Sequence, residues 1–189
     1  MAEKRENIWN VPNALTMLRA ALIPVFLVLY FRDLRYWALA AFLTASFTDL
    51  LDGYIARKYH LITNFGKLMD PLADKLMVIT VLLVQTVMVP LPASAVVIVI
   101  LKELIMVAGG VYMLKKGIVV HSELVGKAAQ FLFIAALTLS FFHEDFLNAG
   151  APQYDMILLW ISVGLTLLAL AFYARRAIEK LKAAKGQGK

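Results

Sequence analysis

Long apolar runs alternate with short polar breaks along this chain, and six of the runs approach the ~20 residues that a helix needs to cross a hydrocarbon core. They fall at roughly 12–31, 36–57, 69–89, 93–114, 124–142 and 154–174, with Pro90-Leu91-Pro92 breaking the third from the fourth. The pattern predicts an all-α integral membrane protein, a bundle of six transmembrane helices forming a single domain over 1–189. Residues 1–11 are too polar to span, and they set Ile8, Trp9 and Val11 against Lys4 and Arg5. That predicts a short N-terminal interfacial helix. A cleaved signal peptide fits less well, although Ala38-Leu39-Ala40 mimics a cleavage site. The first apolar run is too long for one, and cleavage would remove Asn13, Thr16 and Arg19.

Composition sharpens this picture. The 189 residues are 61% hydrophobic with no cysteine, too apolar for a soluble globule. Without cysteine there is no disulfide and no thiolate metal site, so a metal would need oxygen or imidazole ligands. The net charge of +6 comes from basic residues in loops and tails, with no aromatic-basic stripe of the kind a nucleic-acid groove needs, so no nucleic-acid partner is expected.

The distribution of charge gives an orientation. Fourteen Lys and Arg fall in segments 1–11, 57–67, 115–127 and 175–189, against only Arg32 and Arg35 in the opposite loops. The positive-inside rule then puts both termini and the 57–67 loop in the cytoplasm of a bacterial-type membrane. The tail 175–189 reads as a solvated, headgroup-binding basic end.

Candidate chemistry is concentrated in one stretch. Asp49, Asp52, Asp70 and Asp74 lie within twenty-six residues, between apolar runs. A carboxylate costs on the order of 3 kcal/mol at a bilayer centre, so such residues mark function and find cationic partners. Asp49 and Asp52 are three apart and Asp70 and Asp74 four apart, so each pair projects from one helix face. Four clustered acids carry more negative charge than a buried site tolerates without cations. Hard oxygen ligands select Mg2+ or Mn2+, with Ca2+ as a further option, over zinc or copper, and two such ions can clamp a pyrophosphate. Gly53 and Ala56 leave a bare helix surface, suited either to a flat base or to close helix packing. Gly66 stands one turn before Asp70, and Arg57 suits a phosphate or a carboxylate. Asn13, Thr16 and Arg19 share one face of the first span, where Arg19 would meet donor phosphates or neutralise the acids.

The pattern Asp49-x2-Asp52-Gly53-x2-Ala56-Arg57-x8-Gly66-x3-Asp70-x3-Asp74 resembles the signature of the CDP-alcohol phosphotransferases, membrane enzymes of phospholipid synthesis. The resemblance implies that Asp49, Asp52 and Asp70 are metal ligands for two Mg2+ or Mn2+ ions. It implies that Asp74 is the general base, with some metal contact, and that the CDP moiety of CDP-diacylglycerol lies near Gly53, Ala56, Arg57 and Gly66. Asn13, Thr16 and Arg19 are candidate donor contacts beside these, and family members are commonly homodimers.

NVPNALTMLR, TNFGKLMDPLADKLMV and the later Lys-Glu and Gly-Lys resemble the phosphatidylglycerophosphate synthase branch, whose acceptor is glycerol 3-phosphate. Lys102 and Lys127 are then the candidate acceptor contacts. Lys102 and Glu103 lie mid-span about 100° apart, so each is expected to pair with another helix. Fewer cations stand near them than that branch tends to have: Gly109-Gly110 and Ala128-Ala129-Gln130 occupy positions where basic residues are usual. This keeps open a cardiolipin synthase reading, with phosphatidylglycerol as acceptor. A cation or proton transporter would explain the acids but not the glycines and Arg57 at their spacing. His60, His121 and His143 read as isolated loop or interface residues without chemistry.

Overall fold

The computed structural model describes residues 10–59, 63–89, 91–116, 118 and 124–186, so the expected interfacial helix lies mostly outside the described residues. Those residues are all-helical: α1 (Val11–Phe31), α2 (Arg35–Lys58), α3 (Asn64–Met88), α4 (Ala93–Lys115), α5 (Leu124–Ser140), α6 (His143–Asn148) and α7 (Tyr154–Gly186). A helix stands at each of the six apolar runs. Of these, α1, α2, α4 and α7 are long and apolar enough to cross a membrane. The least apolar of the four is α2, with a mean hydropathy of 1.2 against 2.0 to 2.2 for the others, because it carries the first acid pair.

The chain packs as two units, Met1–Val84 and Gln85–Lys189, which divide within α3. In the first, α1 and α2 form an antiparallel hairpin through a three-residue turn. Asn10 caps α1, its side chain accepting the Asn13 N–H at 2.9 Å, and Pro12 adds a pre-set φ in the first turn. The helix ends with Leu34 N–H bonded to the Leu29 carbonyl at 3.0 Å while Asp33 takes φ +59°. Glycine or asparagine usually fills that left-handed closing position. The apolar core of this unit is formed by Phe26, Ala38, Phe42, Ala45, Met77 and Val81. Buried Ala38, Ala41 and Ala45 on α2 let α1 approach closely.

In the second unit α5 packs along α7, and α4 meets α7 less extensively. Phe133, Ala136, Leu137, Leu159 and Val163 are buried there. Gln85 donates to the Leu137 carbonyl at 3.2 Å and accepts from the Ser140 hydroxyl, so a polar side chain inside this unit is satisfied. At 33 residues, α7 is about 50 Å long, well beyond a ~30 Å hydrocarbon core. Its last turns carry exposed Arg175, Arg176, Lys180 and Lys182. Large apolar side chains such as Trp37, Phe47, Leu104, Phe131 and Ile161 cover the outward faces. A soluble protein would not show apolar surface on this scale, whereas lipid-facing helices would.

Two sequence expectations need correction here. Lys102 pairs with its own neighbour Glu103, since the flexible lysine stem lets the ammonium fold back along the helix. His143 is not isolated: it is buried, with Nδ1 2.7 Å from Oδ2 of the equally buried Asp155. The unexpected short α6 brings it back onto the first turn of α7. His60 and His121 lie outside the described residues.

Candidate active site

The α1–α2 hairpin sets the site. Arg19 and the Asp49/Asp52 pair stand at similar distances from the connecting turn, on facing sides of the two helices. Arg19 is 1% exposed, too deep for a guanidinium without anionic partners. Its Nη1 lies 3.0 Å from Asp49 Oδ1, and its Nη2 donates to Asp52 Oδ2. Nη1 also lies 3.4 Å from the backbone carbonyl of Asp70, so one side chain on α1 reaches both α2 and α3. Arg19 Nε is buried and has no hydrogen-bond partner.

One turn earlier on α1, Thr16 Oγ1 reaches Asp70 Oδ1 and, at 3.2 Å, the Pro12 carbonyl. A hydroxyl has one proton, and the charged acceptor at the shorter distance takes it. Another turn back, Asn13 Oδ1 accepts from Thr63 Oγ1 at 3.1 Å. Thr63 in turn accepts the Gly66 N–H at 3.0 Å, the bond by which a threonine caps a helix N-terminus. Asn13, Thr16 and Arg19 are all at most 2% exposed and form one buried polar stripe. Helix α1 thereby engages one oxygen each of Asp49, Asp52 and Asp70.

The fourth acid, Asp74, is half-buried one turn beyond Asp70 on α3. Through Arg19 and Thr16, two acids of α2 and one of α3 are held against one face of α1. Gly53 and Ala56 are half-buried on α2, and the side chain of Arg57 is outside the described residues.

Gly66 has a specific steric role. A Cβ there would lie 2.9 Å from Asn13 Oδ1, 3.2 Å from Thr63 Oγ1 and 3.4 Å from Asp70 Oδ2. Thr63 itself is a member of the site that hydropathy hides. The helix begins at Asn64, before the apolar run, and threonine three residues ahead of Gly66 is the capping signal that marks it. Lys102 and Lys127 belong to the second unit, where Lys102 is held by Glu103 and Lys127 is exposed.

Four carboxylates with no sulfur among them suit a hard divalent cation. Among the described residues, however, no three acidic or histidine side chains converge as a ready cation cage. The charge held between Asp49 and Asp52 is the Arg19 guanidinium.

An all-helical membrane-type chain with paired acids on consecutive helices defines a class, and the match is direct. Residues 9–168 match the CDP-alcohol phosphatidyltransferase family, and the chain belongs to it. The family is generally dependent on divalent metal ions. Among similar proteins, the CDP-diacylglycerol–glycerol-3-phosphate 3-phosphatidyltransferase of Bacillus subtilis (strain 168) is 32% identical over 191 residues, covering 93% of this chain and 98% of that one. The enzyme of the same name from Rickettsia typhi is 47% identical over 81 residues, 40% of this chain and 46% of its own. A Schizosaccharomyces pombe protein named cardiolipin synthase (CMP-forming) / mitochondrial hydrolase fusion protein is 37% identical over 114 residues, 60% of this chain and 19% of its own.

Proposed function

We propose that this protein transfers the phosphatidyl group of CDP-diacylglycerol to the hydroxyl of glycerol 3-phosphate and releases CMP. The observation that carries this reading is the similarity to the Bacillus enzyme of that name across nearly the whole of both chains. The gathering of Asp49, Asp52 and Asp70 around one buried stripe of α1 supports it independently.

In this reading Asp49, Asp52 and Asp70, with some contact from Asp74, hold two Mg2+ or Mn2+ ions. Such ions supply neutralisation of the pyrophosphate and of the charge that develops on the departing CMP. The remaining roles fall to the chain. Gly53 and Ala56 border the cytidine, while Asn13, Thr16, Arg19, Arg57 and Gly66 shape the region of the donor phosphates. Asp74 takes the proton of the acceptor hydroxyl as its oxygen bonds to the phosphorus bearing diacylglycerol. The bond from that phosphorus to the CMP oxygen breaks, and CMP leaves with the electron pair. Lys102 and Lys127 contribute to the acceptor's phosphate. The two packing units act as one domain, since the family match runs through both. Six membrane spans, both termini and the site on the cytoplasmic side, and a homodimer complete the proposal.

A second reading, transfer to phosphatidylglycerol to give cardiolipin, is favoured by the match to the Schizosaccharomyces protein and by uncharged residues at Gly109-Gly110 and Ala128-Ala129-Gln130. One assay separates the two. Purified protein is given CDP-diacylglycerol and Mg2+ or Mn2+ with either acceptor, CMP is quantified, and the lipid product is identified by mass. A phosphatidylglycerophosphate mass supports the first reading. A cardiolipin mass formed only with phosphatidylglycerol replaces it with the second.

A further inference from the structure

Resting on the metal-dependent reading of this same site, we propose that Arg19 is its resident counter-cation and that divalent ions bind by displacing it from Asp49 and Asp52. Three observations lead there. The guanidinium is 1% exposed and spans both acids of α2, taking Asp49 Oδ1 at 3.0 Å with one arm and Asp52 Oδ2 with the other. The planar guanidinium fork presents donors in two directions, which is what lets one side chain bridge both acids. Second, the acids as they stand are drawn to the guanidinium and not to a common centre: among the described residues no three converge on a cation position.

Third, the seat is incomplete. Arg19 Nε is buried without an acceptor, and an unsatisfied donor of this kind is costly to a buried charged group. A second position in which that N–H is also satisfied is therefore favoured once the carboxylates are taken over. A phosphate oxygen of the donor is the acceptor whose chemistry fits, because guanidinium forks match phosphates in geometry and charge. Arg19 thus does both jobs open to it from its position on α1, in sequence: it neutralises the acids before the ions enter and meets the donor phosphates after.

The test is Mn2+ binding by calorimetry on the purified full-length chain, without substrate. Arg19→Gln removes the competitor and should bind Mn2+ about tenfold or more tightly than wild type, while its metal-free form melts at a lower temperature. Arg19→Lys is the discriminating variant. It keeps the charge but cannot bridge two carboxylates with a fork, so displacement predicts a smaller tightening in the same direction. Arg19→Lys also serves alone if the glutamine variant does not fold. Lysine behaving as wild type would mean a background charge, and weaker binding in either variant would mean that arginine orients the acids for the ions; both outcomes overturn the proposal. So does a wild type that binds no Mn2+. Failure of the transfer reading looks different: normal Mn2+ competition with no CMP released from any acceptor.

Discussion

Asn13 Oδ1 stands 2.9 Å from the place where a Cβ on Gly66 would lie, so α3 can rest this close to α1 only because residue 66 has none. The contact is made by a buried side chain that is itself tied to Thr63, so neither partner yields freely. Gly66→Ala would gain about 1 kcal/mol of helix propensity, but overpacking typically costs 1–3 kcal/mol. The prediction is a net loss of stability of roughly 1 kcal/mol and a larger loss of CMP release, because Asp70 lies on the same shifted turn. Pairing it with Asn13→Ala should restore part of the melting temperature. Melting curves of the two single variants and the double variant give the coupling, and strict additivity would refute the contact.

Thr16 tests the tie between α1 and α3. Thr16→Val keeps the shape and removes the hydroxyl that donates to Asp70 Oδ1. Hydrogen bonds to charged groups contribute roughly 1.5–3 kcal/mol, so a loss within that range is expected, with slower turnover. Thr16→Ser should retain most of both. If serine fails as badly as valine, the hydroxyl is not what matters at this position.

The buried pair His143 and Asp155 belongs to the second unit and should report on stability alone. Asp155→Ala deprives His143 of its partner at 2.7 Å and opens a gap at the start of α7. A loss on the order of 2–3 kcal/mol follows from an orphaned buried polar group. Asp155→Asn, which keeps an acceptor, should lose less. Both should leave the turnover of the folded fraction near wild type. A variant with intact folding but abolished CMP release would reassign the pair to function.

The parts of this architecture that sequence reveals are those encoded locally. The apolar runs mark six helices, and the spacing of Asp49 with Asp52 and of Asp70 with Asp74 predicts their shared faces. What hydropathy hides is polar helix. The first turns of α3 read Asn-Phe-Gly-Lys, so the apolar run begins several residues late and Thr63 falls outside it, although its capping position was visible. Partner choice across the fold is hidden for another reason. Arg19 has two chemically reasonable targets, and only the register of the α1–α2 hairpin brings it to Asp49 and Asp52. The His143–Asp155 pair depends on the unforeseen turn of α6. The Lys102–Glu103 pair runs against the angular separation of adjacent residues on a helix, and the length of lysine overrides it.

In the proposed reaction Asp74 has a role different in kind from that of the other acids. Contacts with α1 engage Asp49, Asp52 and Asp70, and Asp74 stands one turn beyond Asp70 on α3. A proton acceptor needs a place within reach of the ions' ligands, and one turn of α3 from Asp70 gives Asp74 that place. Asp74→Asn keeps size and hydrogen bonding while removing the basic oxygen. Turnover should fall by about 10²–10⁴-fold, the usual contribution of a positioned base. Mn2+ affinity and the rise in melting temperature with CDP-diacylglycerol should persist, since donor binding does not need the base. Asp52→Asn should do the opposite: it leaves the buried Arg19 short of a charge, lowers stability by roughly 3 kcal/mol or more, and weakens Mn2+ binding. Calorimetry, melting and CMP release on the two variants together decide the assignment. Unimpaired turnover in Asp74→Asn removes the base from Asp74, and lost Mn2+ binding there makes it a metal ligand first.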